Sequence, residues 1–233
     1  MPSTWDGEYS SYNDLIISCT DGRPVGYDRI RGMLTPREAA INDAKKYPPE
    51  RFNLLKDSLD SKATVLEIGG DRGGNWVVLN ADVDLDYHIL EIEKLVWHGK
   101  QIFPEIHWHT EIPTIENGID ILYSRGGIQY LEDPDSYISE CIKKNSPKKI
   151  IIEHTTFTTI ETFWSKQQFV TYNTKIIIPC CFINFKQFDT DIKNHGYKRT
   201  YEFNDERYNH RDKVSFPEEH IDPYMKSIIY EQI

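Results

Sequence analysis

The segment at residues 63–76, ATVLEIGGDRGGNW, restricts the fold of this chain more than any other part of the sequence. Residues 64–68 are β-branched or apolar except at Glu67, which is typical of a strand covered on both faces of a sheet. The glycines that follow permit a sharp turn with uncovered backbone amides, as in nucleotide-binding loops, and stand at Gly69, Gly70, Gly73 and Gly74. Many ordinary strand-to-helix turns are also glycine-rich, so other features must decide between the two interpretations.

Short apolar runs alternate with longer mixed segments after this loop, in the order TVLEI, YHILEI, IHWHT, IDILYS and KKIIIEH. Such alternation favours an α/β sheet. DSYISECIKKN, between the fourth and fifth runs, has the apolar spacing of one helical face and predicts a crossover helix that starts at Asp133 and Pro134. FKQFDTDIKNHG predicts a later helix that ends at Gly196.

Composition excludes several classes of function. The 27 basic residues stand against 37 acidic ones, a net charge of -10, so nucleic acid is not an expected partner. The acidic N-terminus and the lack of an apolar run of roughly 20 residues predict a soluble, cytoplasmic protein without membrane insertion. The cysteines show no CxxC spacing, so we expect reduced thiols and no metal ligands at Cys19, Cys141, Cys180 and Cys181.

An acidic residue, Glu91, follows the second apolar run and lies 22 positions beyond Gly69. An acid at this distance is well placed to accept hydrogen bonds from both hydroxyls of a bound ribose. The alternative is a solvated glutamate at the start of the helical segment EIEKLVWHGK.

A nicotinamide-binding motif would require glycine at position 71, which is Asp71 here. The pattern acid-x-Gly-Gly-x-x-Gly is more similar to the first motif of class I S-adenosylmethionine-dependent methyltransferases, and it comprises Glu67, Gly69, Gly70 and Gly73.

The loop belongs to a longer series of motifs. In chain order these are WDGEYSSY, GYD, VLEIGGDRGG, HILEIEKLVWHGK, DILYSRGGIQYLEDP, IIIEHTTF, the glutamine of KQQF, the proline of PCCFINF, and HGY. Taken together in this order, the motifs resemble a family of methyltransferases associated with bacterial lipopolysaccharide and capsule biosynthesis. The resemblance runs from near the N-terminus to about Phe203.

This resemblance implies a class I methyltransferase fold. That is a Rossmann-like α/β fold with a mostly parallel seven-stranded sheet, helices on both faces and an antiparallel last strand, here SIIYEQI. Residues 1–58 are expected to form a leader or lid packed on the core, and residues 59–233 the cofactor-binding domain. In the leader, Trp5, Tyr9 and Tyr12 either close over the ligand or pack the segment onto the domain.

The resemblance also implies S-adenosyl-L-methionine as the cofactor and assigns residues to it. The glycine loop is expected against the methionine part, Glu91 at the ribose, and Ser124 with Arg125 beside the reacting methyl group. His109 and Thr110 are expected beside the adenine. The full predicted cofactor set is Glu67, Gly69, Gly70, Asp71, Gly73, Glu91, His109, Thr110, Ser124 and Arg125.

His154 is the predicted general base. It follows a central strand beside the expected methyl site, and a neutral histidine there can accept the proton of a hydroxyl acceptor. The family often carries Asp-Arg-Thr-Pro at this point, whereas this chain has Glu153, His154, Thr155 and Thr156. Arg125 and Gly126 likewise replace small serine-like residues. We expect these departures to affect acceptor specificity.

The predicted function is O-methylation of a sugar, or of a sugar substituent, in a bacterial capsule or lipopolysaccharide or its precursor. The partner is then a small-molecule or glycan acceptor. Two alternatives stay open: a non-catalytic methyltransferase-like subunit, and a nicotinamide- or nucleotide-dependent sugar enzyme. A homodimer is also left open, since no sequence feature identifies the oligomeric state.

Overall fold

The structure is a computed structural model, and it describes residues 4–19, 25, 35–46, 53–80, 83–171, 174–209, 220–222 and 224–233. Much of the predicted 1–58 leader, including the GYD motif at 26–28, therefore lies outside the described residues. The strands are β1 (Thr4–Tyr9), β2 (Thr64–Ile68), β3 (Asp86–Leu90), β4 (His107–His109), β5 (Ile121–Arg125), β6 (Lys149–Thr155), β7 (Phe157–Thr158), β8 (Phe163–Thr171), β9 (Thr174–Asn184), β10 (Tyr197–Asn209) and β11 (Tyr224–Gln232).

A seven-stranded sheet forms the centre of the fold, in the order β10-β11-β6-β5-β2-β3-β4. The five strands from β6 to β4 run parallel, and β11 runs antiparallel to both β6 and β10. Parallel neighbours require crossover connections, which the intervening helices supply. The predicted mostly parallel sheet with an antiparallel last strand is therefore confirmed.

Helices cover both faces of this sheet. They are α2 (Arg37–Ala44), α3 (Asn53–Lys56), α4 (Gly74–Leu79), α5 (Glu93–Ile102), α6 (Pro134–Asn145) and α7 (Phe185–Asn194). A further helix, α1 (Tyr12–Ile17), packs instead against β1, β8 and β9. The predicted start of α6 is confirmed, since the Asp133 side chain accepts a hydrogen bond from the backbone N–H of Ser136 and Pro134 occupies the first turn. None of the helices among the described residues is long and apolar enough to cross a membrane.

Alternate residues of the central strands enter two separate cores. Ile150 and Ile152 of β6 pack with Ile138 of α6 and Phe188 of α7. Ile151, between them, packs on the opposite face in the core that contains side chains of α2 to α5. Burial on both faces explains why these strands are continuous apolar runs.

A second sheet of four strands, in the order β1-β8-β9-β7, was not predicted. It is built on the antiparallel pair β8 and β9, whose sequences FWSKQQFVT and TKIIIPCCFIN combine β-branched and aromatic residues. Strand β1, from the predicted leader, pairs with β8. Trp5 is 3% exposed and meets Phe182 edge-on at a ring-centroid distance of 6.1 Å, so this tryptophan packs in the second sheet.

The strand before the predicted base is longer than expected. We expected His154 to follow the fifth strand of the alternating pattern, but β6 continues through it to Thr155. Lys226 of β11 pairs with Thr155, and Ile228 with Ile152, so Glu153 and His154 together oppose Ser227 in a β-bulge. His154 has a φ of 49°, a conformation that few residues other than glycine adopt. Bulges of this kind redirect side chains at the end of a strand.

Candidate functional site

A cavity opens at the carboxyl ends of β2, β3 and β5, where ligands bind in open α/β sheets. Three of the predicted cofactor residues, Gly69, Glu91 and Thr110, line it. The complete lining is Ile68, Gly69, Leu90, Glu91, Ile92, Thr110, Gly126, Gly127, Tyr130, Leu131 and Tyr137. The spacing between the glycine loop and the acid thus brings both to one cavity.

Two glycine segments meet at one side of this cavity. Gly69 has a φ of +74°, and a Cβ on it would lie 2.8 Å from the Cα of Gly127. A Cβ on Gly127 would lie 2.5 Å from the carbonyl oxygen of Ile68. Contacts this short between backbones exclude any side chain, so both positions require glycine.

Glu91 is oriented by two backbone donors. Its carboxylate accepts hydrogen bonds from the N–H of Asp71 at 2.9 Å and from the N–H of Ile92 at 2.8 Å. The first of these bonds connects the glycine loop to the end of β3. Burial raises the pKa of Glu91 to about 7, against the smaller opposing effect of the two N–H donors. Hydroxyl donors from a ligand would further favour the charged carboxylate.

Glu67, Gly70 and Gly73 lie outside the cavity lining and support the loop. The Glu67 carboxyl is fully buried, accepts a hydrogen bond from the Tyr87 hydroxyl at 2.8 Å and contacts the Asn75 amide. A Cβ on Gly70 would lie 2.8 Å from that carboxyl, and a Cβ on Gly73 would lie 2.9 Å from the Ile106 side chain. Direct contact of these three residues with the cofactor stays a prediction.

His109 and Thr110 separate at the end of β4. Thr110 lines the cavity, whereas the His109 ring stacks on His88, with its Nε2 3.0 Å from His88 Nδ1. Burial, with the neighbouring histidines, lowers the pKa of His109 to about 4, so its ring is neutral at pH 7. The backbone carbonyl of His109 accepts the N–H of Glu91 at 3.0 Å, which ties the two strand ends together.

Ser124 and Arg125 are engaged within the protein. The Ser124 hydroxyl donates to the carbonyl oxygen of Ile68 at 2.9 Å. The Arg125 guanidinium lies 3.0 Å from Glu153 Oε1, and both side chains are buried. The Tyr123 hydroxyl donates to the other Glu153 oxygen at 2.6 Å. The charge of Arg125 is therefore compensated by Glu153, and a role for it beside the methyl group stays a prediction.

His154 is buried beside an acidic residue of β10. Its Nδ1 lies 3.6 Å from Asp205 Oδ2, and the two side chains are 11% and 4% exposed. A carboxylate beside one ring nitrogen can orient an imidazole and stabilise its protonated form. His154 is outside the cavity lining, and its backbone carbonyl is close to Gly126, which does line the cavity.

Several cavity residues were absent from the predicted cofactor set: Gly126, Gly127, Tyr130, Leu131 and Tyr137. The signal for two of them was present, because a second glycine pair directly follows a buried strand in YSRGG. The sequence predicts packing roles for the two tyrosines, Tyr130 just before the crossover helix and Tyr137 on its apolar face. Tyr130 in fact lines the cavity while its hydroxyl donates to Gln167 of the second sheet at 2.9 Å.

We expect the free energy of unfolding to fall as pH rises from about 6.5 to 8. Burial raises the pKa of both Glu67 and Glu91 from 4.5 to about 7, so the folded protein retains protons that the unfolded chain has released. His88 and His109 have lowered pKa values, so they make the free energy of unfolding rise with pH. Their effect falls mainly below pH 6.5, outside the range in which the two glutamates are tested. Urea unfolding at several pH values measures the slope. Glu67→Gln should reduce the slope of the free energy of unfolding against pH, whereas Glu93→Gln, at an exposed position, should leave that slope unchanged. Equal slopes in the wild type and in Glu67→Gln would contradict the raised pKa of Glu67.

The comparisons with known proteins concern the fold. No protein-family model matches the chain, and no curated protein matches it. Solved structures do resemble it. The CcbJ methyltransferase from Streptomyces caelestis has a TM-score of 0.54 at 10% identity, over 88% of this chain and 100% of that one. A TehB-like S-adenosylmethionine-dependent methyltransferase from Corynebacterium glutamicum has a TM-score of 0.51 at 15% identity, over 84% and 99% of the two chains. The chain therefore has the class I fold of S-adenosylmethionine-dependent methyltransferases.

Proposed function

We propose that this protein is an S-adenosyl-L-methionine-dependent methyltransferase. The observation that carries the proposal is the cavity at the ends of β2 and β3, where Gly69 and Glu91 lie together in a methyltransferase fold. The non-catalytic and nicotinamide-dependent alternatives have no comparable observation in their favour.

The cavity residues fit this cofactor. The contact between Gly69 and Gly127 leaves backbone, without side chains, on one side of the cavity. The Glu91 carboxylate, held by two N–H groups, can accept hydrogen bonds from a ribose. Leu90, Ile92 and Leu131 supply apolar surface suited to an aromatic base.

The chemistry then depends mainly on placement. S-adenosylmethionine supplies an electrophilic methyl group when bound. The protein has to hold an acceptor atom in line with that group, exclude water and remove the acceptor's proton. We assign the last role to His154, with Asp205 as the residue that positions its ring. The bulge at Glu153 and His154 is the feature that could direct this side chain toward the acceptor.

We further propose an oxygen acceptor on a sugar or sugar substituent of a surface polysaccharide, or on its precursor. The support is the ordered series of sequence motifs, which resembles that of the lipopolysaccharide and capsule family. Tyr130 of the cavity lining donates a hydrogen bond to Gln167 of the second sheet, and we assign the surface of this sheet to the acceptor. Mass spectrometry of glycans made with and without the protein tests this: a methyl increment supports it, and identical glycans contradict it.

Isothermal titration calorimetry tests the cofactor. The protein should bind S-adenosylmethionine and S-adenosylhomocysteine in a one-to-one ratio, and NAD should not compete with either. Binding of NAD alone would support the nicotinamide-dependent alternative. Binding of neither cofactor would support the non-catalytic one.

Glu91→Ala should weaken S-adenosylmethionine binding by about 1.5–3 kcal/mol, roughly one to two orders of magnitude, because two charge-assisted hydrogen bonds are lost. Calorimetry at pH 8 measures this loss of affinity. At that pH the Glu91 carboxyl, with a pKa of about 7, is mostly charged in the wild type. The matched control is Glu93→Ala, an exposed acid two residues further along. Unchanged affinity in a folded Glu91 variant would remove this residue from the site.

A further inference from the structure

Four polar side chains share one face at the edge of the central sheet. Strands β3 and β4 pair in parallel, with His88 opposite His107 and Leu90 opposite His109. Because alternate residues of a strand share a face, Asp86 and His88 of β3 lie on the same face as His107 and His109 of β4. The His88 ring stacks on both neighbouring imidazoles, at centroid distances of 4.7 Å to His107 and 5.2 Å to His109.

Three of these residues present ligand atoms at the spacing of a metal site. His88 Nε2 lies 3.2 Å from Asp86 Oδ1, and His107 Nε2 lies 3.5 Å from the same oxygen. One ligand atom from each residue lies within 4.8 Å of the others. In a tetrahedral zinc site the ligand atoms are about 3.3 Å apart, the tetrahedron edge that follows from bonds of about 2.0–2.1 Å. Two of the contacts already have this length.

The hydrogen bonding of His88 suits a metal ligand. Its Nδ1 lies 3.0 Å from His109 Nε2, so a proton on Nδ1 can be donated to His109. That tautomer leaves the lone pair of His88 on Nε2, the atom that faces Asp86. This Nε2 is buried and has no hydrogen-bond partner of acceptable geometry among the described residues. A ligating histidine whose other ring nitrogen is held by a neighbour is the usual arrangement at metal centres.

We propose that Asp86, His88 and His107 bind a divalent transition-metal ion, with His109 as the residue that orients His88. Two imidazoles and a carboxylate suit Zn²⁺ and its neighbours in the first transition series better than Ca²⁺ or Mg²⁺, which prefer oxygen ligands alone. Three protein ligands leave one coordination position for solvent. The ion would bridge β3 to the edge strand β4, and the residues that directly follow these two strands, Glu91 and Thr110, line the cavity. It would thereby fix the edge of the proposed cofactor site.

The test uses the full chain without a histidine tag, freed of metal with a chelator and titrated with Zn²⁺ in the absence of S-adenosylmethionine. We expect saturable binding of one equivalent and a rise in Tm. Co²⁺ should give the visible absorption of a four-coordinate ion. This readout is independent of methyl transfer, so its failure leaves the proposed function standing.

The variants decide which residues hold the ion. Asp86 and His107 are 47% and 61% exposed, so Asp86→Ala and His107→Ala should leave the fold intact and lose Zn²⁺ affinity by about 100-fold or more. His109→Ala should lose about 10–100-fold, as expected of a residue that orients a ligand. His195→Ala, at the end of α7, is the control and should bind normally. Absence of saturable binding, or equal affinity in wild type and His107→Ala, would overturn the proposal.

Discussion

Gly69→Ala is expected to lower the affinity for S-adenosylmethionine by at least about 100-fold while far-ultraviolet circular dichroism stays near native. The added Cβ would lie 2.8 Å from the Cα of Gly127, and neither backbone can avoid the contact unless the two loops separate. The φ of +74° adds strain of about 1–2 kcal/mol for a residue with a side chain. Separation of the loops would change the cavity where the glycines now meet.

A matched substitution distinguishes backbone strain from the steric contact. Gly196 has a φ of +88°, and a Cβ there would meet nothing within 4 Å. Gly196→Ala should therefore lose only the strain energy of about 1–2 kcal/mol in stability and keep normal cofactor affinity. Gly127→Ala, which places a Cβ 2.5 Å from the Ile68 carbonyl, should reproduce the binding defect. Normal binding by a folded Gly69→Ala protein would show that the cofactor does not depend on this contact.

His154→Ala should lower turnover by about 10²–10⁴-fold and leave cofactor affinity nearly unchanged, because the proposed role is proton removal from the acceptor. His154→Gln, which retains a hydrogen-bonding group but cannot accept the proton, should be almost as impaired. Near-normal turnover in the glutamine variant would reduce His154 to a positioning residue.

Asp205→Asn tests how the histidine is positioned. The carboxylate lies 3.6 Å from His154 Nδ1 and is proposed to hold the ring in place, so the amide variant should lower turnover while cofactor affinity stays nearly unchanged. A purely structural role would lower stability and cofactor affinity together. Urea unfolding of the same variant separates the two effects.

Local pattern was sufficient for much of the fold. The β-branched runs before the glycine loop and after it predicted the central strands, and the apolar spacing of residues 134–145 predicted α6. Parallel strands place their carboxyl ends at one edge, so the spacing of Gly69 and Glu91 also predicted that they share a cavity. The strands and α6 follow from residues that are neighbours in the sequence. The shared cavity follows from one rule of sheet topology, and both kinds of reasoning need only a single sequence.

Long-range packing decided the rest. Gly127 meets Gly69, Arg125 pairs with Glu153, and β1 joins β8 through contacts between segments far apart in the chain. The alternation of His107 and His109 in β4 predicted no metal site, and it is pairing with β3 that places these histidines beside His88 and Asp86. Such contacts depend on which strands become neighbours and in what register, and no local pattern of hydrophobicity or turn residues contains that information.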